Sequence, residues 1–178
     1  GMKDESKAIK RLTDAKSKVS SHYFIRNNGE VIIMVPDLFE AWHAGKSSWG
    51  KYKSLNRYSI GIEINNPGHQ NGYRNYKIKQ ISSLKKLLNL LIKKYNIKKN
   101  CVLGHSDISP MRKKDPGEKF PWKNLAKNKL CYWHNLDEKK IKKFRNQKIN
   151  LKNKNIFTNN LFKIGYNKQN LKFIIKAF

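Results

Sequence analysis

GHSDISPMRKKDPGEKF, residues 104–120, is the stretch on which the reading of this 178-residue chain turns. His105 follows the short apolar run Cys101-Val102-Leu103, which reads as a strand with Cys101 as a small core residue. Ten residues after His105, Asp115 opens Asp115-Pro116-Gly117, with Lys113 close by. An imidazole at a strand end and a carboxylate returned to it by a Pro-rich loop can hold a metal ion. One His and one Asp carry little weight alone, because such pairs are commonly a hydrogen-bonded histidine and a solvated loop acid. Asp107 lies nearer to His105 in sequence and competes for the same role.

Working outward, Ile78, Ile81, Leu84, Leu87, Leu88, Leu91, Ile92 and Tyr95 form a helical stripe that packs on a sheet. Before it, Ile60, Ile62 and Ile64 alternate with Gly61, Glu63 and Asn65, so Glu63 leaves a strand on the face opposite the isoleucines. Tyr23-Phe24-Ile25 and the run from Val31 to Val35 flank Asn27-Asn28-Gly29 and read as a β-hairpin. An amphipathic helix is expected over residues 4–18, with acids in front and lysines behind. The stretch from Ala41 to Tyr58 has no period and is long enough to be a functional loop, and residues 67–76 form a Gly/Asn loop. Pro121 can open a short helix through Trp122 and Leu125.

After Asn128 the character changes. Residues 127–176 hold 14 Lys and Arg against two acids, the apolar residues thin into positions such as Ile149, Leu151 and Ile156, and only Leu171 to Phe178 again looks helical. The whole chain carries 39 Lys and Arg, 12 Asp and Glu and a formal charge of +27, which suits a polyanionic partner: nucleic acid, anionic lipid or an acidic cell-wall polymer. Abundant Lys and Asn with scarce Arg is also what an AT-rich genome writes on solvated faces. No recognisable nucleic-acid motif accompanies the charge. Cys101 and Cys131 form neither a zinc knuckle nor a disulfide framework, and no apolar run approaches the roughly 18 residues of a membrane span.

Five motifs in order, SSHYFI, AWHAG, SIGIEINN, GHSDISPMRKKDPG and FPW, make the stretch from Val19 to Leu136 resemble zinc-dependent N-acetylmuramoyl-L-alanine amidases of the AmpD/AmiD type. That resemblance implies an α/β fold, a central mixed β-sheet flanked by helices, as in peptidoglycan recognition proteins. It implies Zn²⁺ as cofactor, with His105 and Asp115 as two ligands. Glu63 matches the acid that activates water, and Lys113 the lysine near the scissile carbonyl. Trp42, His43 and Asn65 are candidates for substrate contacts, and the loop around Trp49 and Tyr52 could offer further apolar faces. For His43 the reading as a hydrogen-bonded structural histidine is preferred, as it is for His22, and either could supply a third metal donor. Asp107 becomes structural on this resemblance.

The partner implied is peptidoglycan or a muropeptide fragment, and the AmiD branch points to the cell envelope or periplasm. The family's first ligand is a histidine in a His-Tyr-Thr run at the end of the first strand, which by counting falls at about Gly1 or just before it. The chain is therefore expected to lack its first strand and that ligand, with activity impaired. Residues 1–136 are expected to form the amidase domain and 137–160 a basic linker. Residues 161–178 resemble the start of a helical peptidoglycan-binding module cut short. The alternative function is a non-catalytic peptidoglycan- or muropeptide-binding protein.

Overall fold

The computed structural model describes residues 1–134, 136–146, 150–168 and 171–178; Ile149, counted above among the tail's apolar positions, lies outside them. Asp4 starts helix α1 (Glu5–Thr13) by accepting the Lys7 N–H at 3.1 Å, and Lys10 and Arg11 lie at the end where the dipole favours cations. The helix is shorter than the apolar spacing implies. Asp14 turns its carboxylate to the Lys16 N–H at 2.9 Å and starts a 3-10 turn, Ala15–Ser17, in place of another helical turn. Glu5 then reaches out of α1 to Arg26 at 2.8 Å and to the Asn27 N–H at 2.6 Å, fastening the helix to the hairpin.

That hairpin is β1 (Tyr23–Ile25) against β2 (Val31–Ile33), with Tyr23 opposite Ile33 and Ile25 opposite Val31. β2 stops two residues before the apolar run does, because the Met34 and Val35 N–H groups both turn onto the His22 carbonyl. A second, two-stranded hairpin follows, β3 (Ser48–Trp49) with β4 (Tyr52–Lys53). Then β5 (Ile62–Ile64) pairs parallel with β1, placing Phe24 beside Glu63, so the main sheet is mixed and runs β2-β1-β5. Among the described residues no strand pairs with the other edge of β5.

Helix α2 (Ile78–Tyr95) coincides with its predicted stripe. Its Ile81, Leu84 and Leu88 meet Ile25, Ile62 and Ile64 in one cluster, which Phe120, Leu125, Leu130 and Cys131 complete. The isoleucine face of β5 is thereby packed under α2, with Ile62 and Ile64 partly buried, and Glu63 is left on the opposite side. Gln80 secures the contact by donating to the Asn65 carbonyl at 2.9 Å.

Between α2 and the metal-candidate stretch the expected strand does not form. Lys99–Cys101 is a 3-10 turn closed by the Cys101 and Val102 N–H groups onto Lys98 and Lys99 carbonyls, and Cys101 is exposed. The buried cysteine is Cys131. His105 therefore stands not at a strand end but as the first residue of a short helix, α3 (His105–Ile108). Helix α4 (Trp122–Lys127) follows Pro121 as expected.

The basic tail is helical well before residue 171. Helices α5 (Glu138–Arg145) and α6 (Leu151–Ile164) occupy much of the stretch expected to be linker, and α7 (Leu171–Ala177) completes the chain. Asn150 caps α6 by accepting the Asn153 N–H at 2.8 Å. Among the described residues the tail builds no separate core: Leu161, Tyr166 and Ile174 join Ala44, Trp49 and Leu55 in a second apolar cluster. For α6 and α7, helicity that the composition alone does not support is thus supplied by packing on the rest of the domain. No helix among the described residues is long and apolar enough to cross a membrane.

Candidate metal centre

His105 is held from two directions. Its Nε2 lies 3.1 Å from the Ala44 carbonyl, to which it can donate, and 3.4 Å from the Arg112 guanidinium. Its Nδ1 faces Asp115 Oδ2 at 3.1 Å and, since a carboxylate only accepts, donates to it when no metal is bound. Ligands about 2.0–2.1 Å from a tetrahedral zinc ion lie about 3.3 Å apart, so the two donors are spaced as neighbours in such a site would be. The carbonyl bond to Nε2 is the kind of outer contact that fixes the tautomer of a ligating histidine.

The acid is fixed by its own loop. The Ser106 N–H donates to the Asp115 carbonyl at 2.8 Å, while the hydroxyls of Tyr73 and Tyr76 both donate to the Pro116 carbonyl, at 2.7 and 3.0 Å. Gly117 has φ 83°, and a Cβ there would stand 2.7 Å from the Tyr73 hydroxyl, so only glycine fits under this clamp. Burial pushes the Asp115 carboxyl up, but the His105 hydrogen bond and charge, then Lys113, outweigh it and hold the group at about 2. It is ionised, as a metal ligand must be.

Glu63 has the opposite electrostatics. Desolvation raises its carboxyl first and the Asp115 charge raises it further, against His105, the N-terminal amine and Lys113. The residue is nevertheless exposed at the surface, so the desolvation comes from the groups packed around the carboxyl and not from enclosure. Two carboxyls shifted apart, with a lysine acting on both, are suited to proton transfer beside a metal.

The other candidates fall elsewhere. His22 is buried, with Nδ1 accepting the Gly61 N–H at 3.0 Å and Nε2 donating to the Phe39 carbonyl at 3.0 Å. His43 places Nδ1 on the Ala41 carbonyl and Nε2 on Ser59 Oγ, both at 2.9 Å. Burial and then His22 lower His43 to about 4, so it is neutral. With all four nitrogens engaged, neither ring offers a third ligand, and among the described residues no group of three His, Cys, Asp or Glu could hold a metal. Trp42 is half exposed, anchored by its N–H on Ser20 Oγ at 2.8 Å. Asn65 is buried and its Nδ2 has no hydrogen-bond partner. Trp49, expected to face substrate, is buried in the second cluster, while Tyr52 remains exposed.

Several supporting residues went unnoticed in the sequence. Arg112 donates to the Ala44 carbonyl at 2.8 Å, the same oxygen that receives His105, and its place beside Lys113 was the available signal. Tyr73 and Tyr76 lay in what read as a polar loop, where nothing marks their distant acceptor. Asp107 proves structural in its contacts, accepting the Gly104 N–H at 2.7 Å and the Tyr166 hydroxyl.

Residues 1–118 match the family model Amidase_2, described as N-acetylmuramoyl-L-alanine amidase. The chain is 39% identical over 142 residues to the N-acetylmuramoyl-L-alanine amidase AmiD of Escherichia coli, covering 73% of this chain and 51% of that protein. It is 39% identical over 106 residues to the 1,6-anhydro-N-acetylmuramyl-L-alanine amidase AmpD of Haemophilus influenzae, covering 59% and 55%. It spans about half the length of these curated relatives. Among solved structures, AmpDH3 of Pseudomonas aeruginosa superposes with a TM-score of 0.80 at 28% identity, over 94% of this chain and 71% of that one. AmiD of E. coli, in complex with the substrate anhydro-N-acetylmuramic acid-L-Ala-D-gamma-Glu-L-Lys, superposes at 0.77 and 31%, over 94% and 69%.

Proposed function

The chain belongs to the N-acetylmuramoyl-L-alanine amidase family Amidase_2, and we propose that its site hydrolyses the amide between the lactyl group of N-acetylmuramic acid and L-alanine. The observation that carries this reading is the facing pair His105 Nδ1 and Asp115 Oδ2, with Nε2 turned away onto the Ala44 carbonyl. His105 and Asp115 would hold zinc. When bound, zinc would polarise the amide carbonyl and bring the pKa of water near about 7. Glu63 takes a proton from the attacking water and delivers it to the leaving amine, a role that its raised carboxyl suits. Lys113 stabilises the charge developing on the carbonyl oxygen. Trp42 offers an exposed aromatic face for the sugar or the peptide stem. The substrate class is peptidoglycan or a muropeptide, and the cell envelope is the proposed place of action.

Catalytic zinc sites use three protein ligands, and two come together here. Low zinc occupancy and impaired turnover are therefore part of the proposal. The same observation favours a second reading, a muropeptide-binding protein that keeps the cleft without the chemistry. We assign residues 1–136 to the catalytic domain, 137–160 to a basic connecting segment, and 161–178 to the start of a helical segment related to a peptidoglycan-binding module.

Metal analysis combined with release of L-alanyl peptides from a muropeptide tests both readings. Zinc-dependent release, lost on chelation, supports the amidase. Zinc-independent binding of the muropeptide without release would overturn it in favour of the second reading.

A further inference from the structure

We propose that Tyr166, in the C-terminal segment, is a positioning residue for His105 and acts through Asp107. The inference rests on the reading of His105 as a metal ligand. Asp107 spans the junction: one carboxylate oxygen takes the Gly104 N–H at 2.7 Å, and the other takes the Tyr166 hydroxyl. Gly104 immediately precedes His105, so this bond sets the direction in which the chain enters α3 and hence the azimuth of the imidazole.

Tyr166 is itself closely confined. It is buried edge-on to Trp49, with ring centres 4.9 Å apart. The neighbouring Gly165 carbonyl accepts the Gly50 N–H at 2.7 Å, and a Cβ at Gly165 would stand 2.4 Å from the Trp49 ring. The second handle on His105 leads to the same place. Ala44, whose carbonyl receives Nε2, is buried in the cluster formed with Leu161 and Ile174. Leu103 and Ile108, on either side of the histidine, pack against that cluster as well. The Gly104–Asp107 bond and the Ala44 carbonyl are therefore both seated against the C-terminal segment. The tail completes the active centre in addition to any role in binding cell-wall polymer.

Tyr166→Phe removes the hydroxyl and keeps the ring packing, and it is compared with the wild type in the full chain. Three measurements are made: amide exchange at Gly104 against amides within α2, the ¹⁵N signals of the His105 ring in metal-free protein, and zinc affinity by chelator competition. We expect Gly104 exchange about tenfold faster while α2 amides are unchanged. The His105 ring signals should shift towards a mixture of tautomers, and zinc affinity should fall about tenfold, as for loss of an outer contact to a ligand. Asp107→Asn should give the same phenotype, and the double variant should be no worse than either single one. Unchanged Gly104 exchange and unchanged His105 signals would overturn the proposal. If the wild type binds no zinc, the reading of the centre as a zinc site fails, while the exchange and ring signals still decide whether Tyr166 positions His105.

Discussion

His105 Nδ1 and Asp115 Oδ2 face one another across 3.1 Å, a separation that a hydrogen bond spans and that two neighbouring ligands of one metal ion would also show. The rest of the centre is arranged so that this gap persists. Ala44 and Arg112 secure the imidazole side, and Tyr73 and Tyr76 secure the carboxylate side through the Pro116 carbonyl.

Replacing either partner should remove the zinc affinity that the pair provides. His105→Ala and Asp115→Ala are each expected to lower zinc affinity by at least about 100-fold, read by chelator competition, since one donor and water hold zinc poorly. Affinity in the wild type should also weaken as pH falls, because protons compete for the same ligands. A variant that keeps wild-type affinity would show that the metal sits elsewhere.

Glu63→Gln should separate catalysis from stability. Loss of the base should slow amide release by about 10²–10⁴-fold with zinc affinity retained. The wild-type rate should fall on the acid side at a pH above the ordinary glutamate range, because a base whose pKa is raised is already protonated there. The raised pKa also means that ionised Glu63 weakens the fold at neutral pH, so the glutamine variant should melt at a higher temperature. An equal or lower melting temperature would contradict the desolvation of this carboxyl.

Asp37 offers a test of stability far from the centre. Its carboxylate accepts from the Tyr23 hydroxyl at 2.5 Å, the Tyr95 hydroxyl at 2.7 Å and Lys94 at 3.0 Å. Burial raises this carboxyl, but the Tyr23, Tyr95 and Lys94 bonds together hold it below its usual value. A carboxyl lowered in the folded state stabilises above its unfolded pKa of about 3.9, and that contribution disappears as pH falls through the folded value. Asp37→Ala should cost about 2 kcal/mol or more at neutral pH and flatten the loss of stability between about pH 4 and lower values, as measured by urea unfolding.

Gly61→Ala should be poorly tolerated. A Cβ at Gly61 would fall 2.3 Å from Cγ of His43, whose ring is held at both nitrogens and cannot withdraw. We expect a loss of about 1–3 kcal/mol in denaturant unfolding. Combining it with His43→Ala should recover part of that loss, and no recovery would mean that the strain lies in the backbone.

Local chemistry written along the chain was enough for much of this protein. The stripe from Ile78 to Tyr95 specified α2, and the alternation through Ile60, Glu63 and Ile64 put the glutamate opposite the buried face, because both patterns depend only on the period of one element. Five motifs in order identified the family and paired His105 with Asp115. What only the tertiary structure decided were the contacts between segments remote in sequence. The Cys101 stretch became a 3-10 turn, and α6 and α7 of the lysine-rich tail found an apolar seat on the surface around Ala44, Trp49 and Leu55. The commitments of His22, His43, Tyr73 and Tyr166 are likewise invisible along the chain. A hydrogen bond is satisfied by whichever group folding brings within reach, and no local periodicity records that choice.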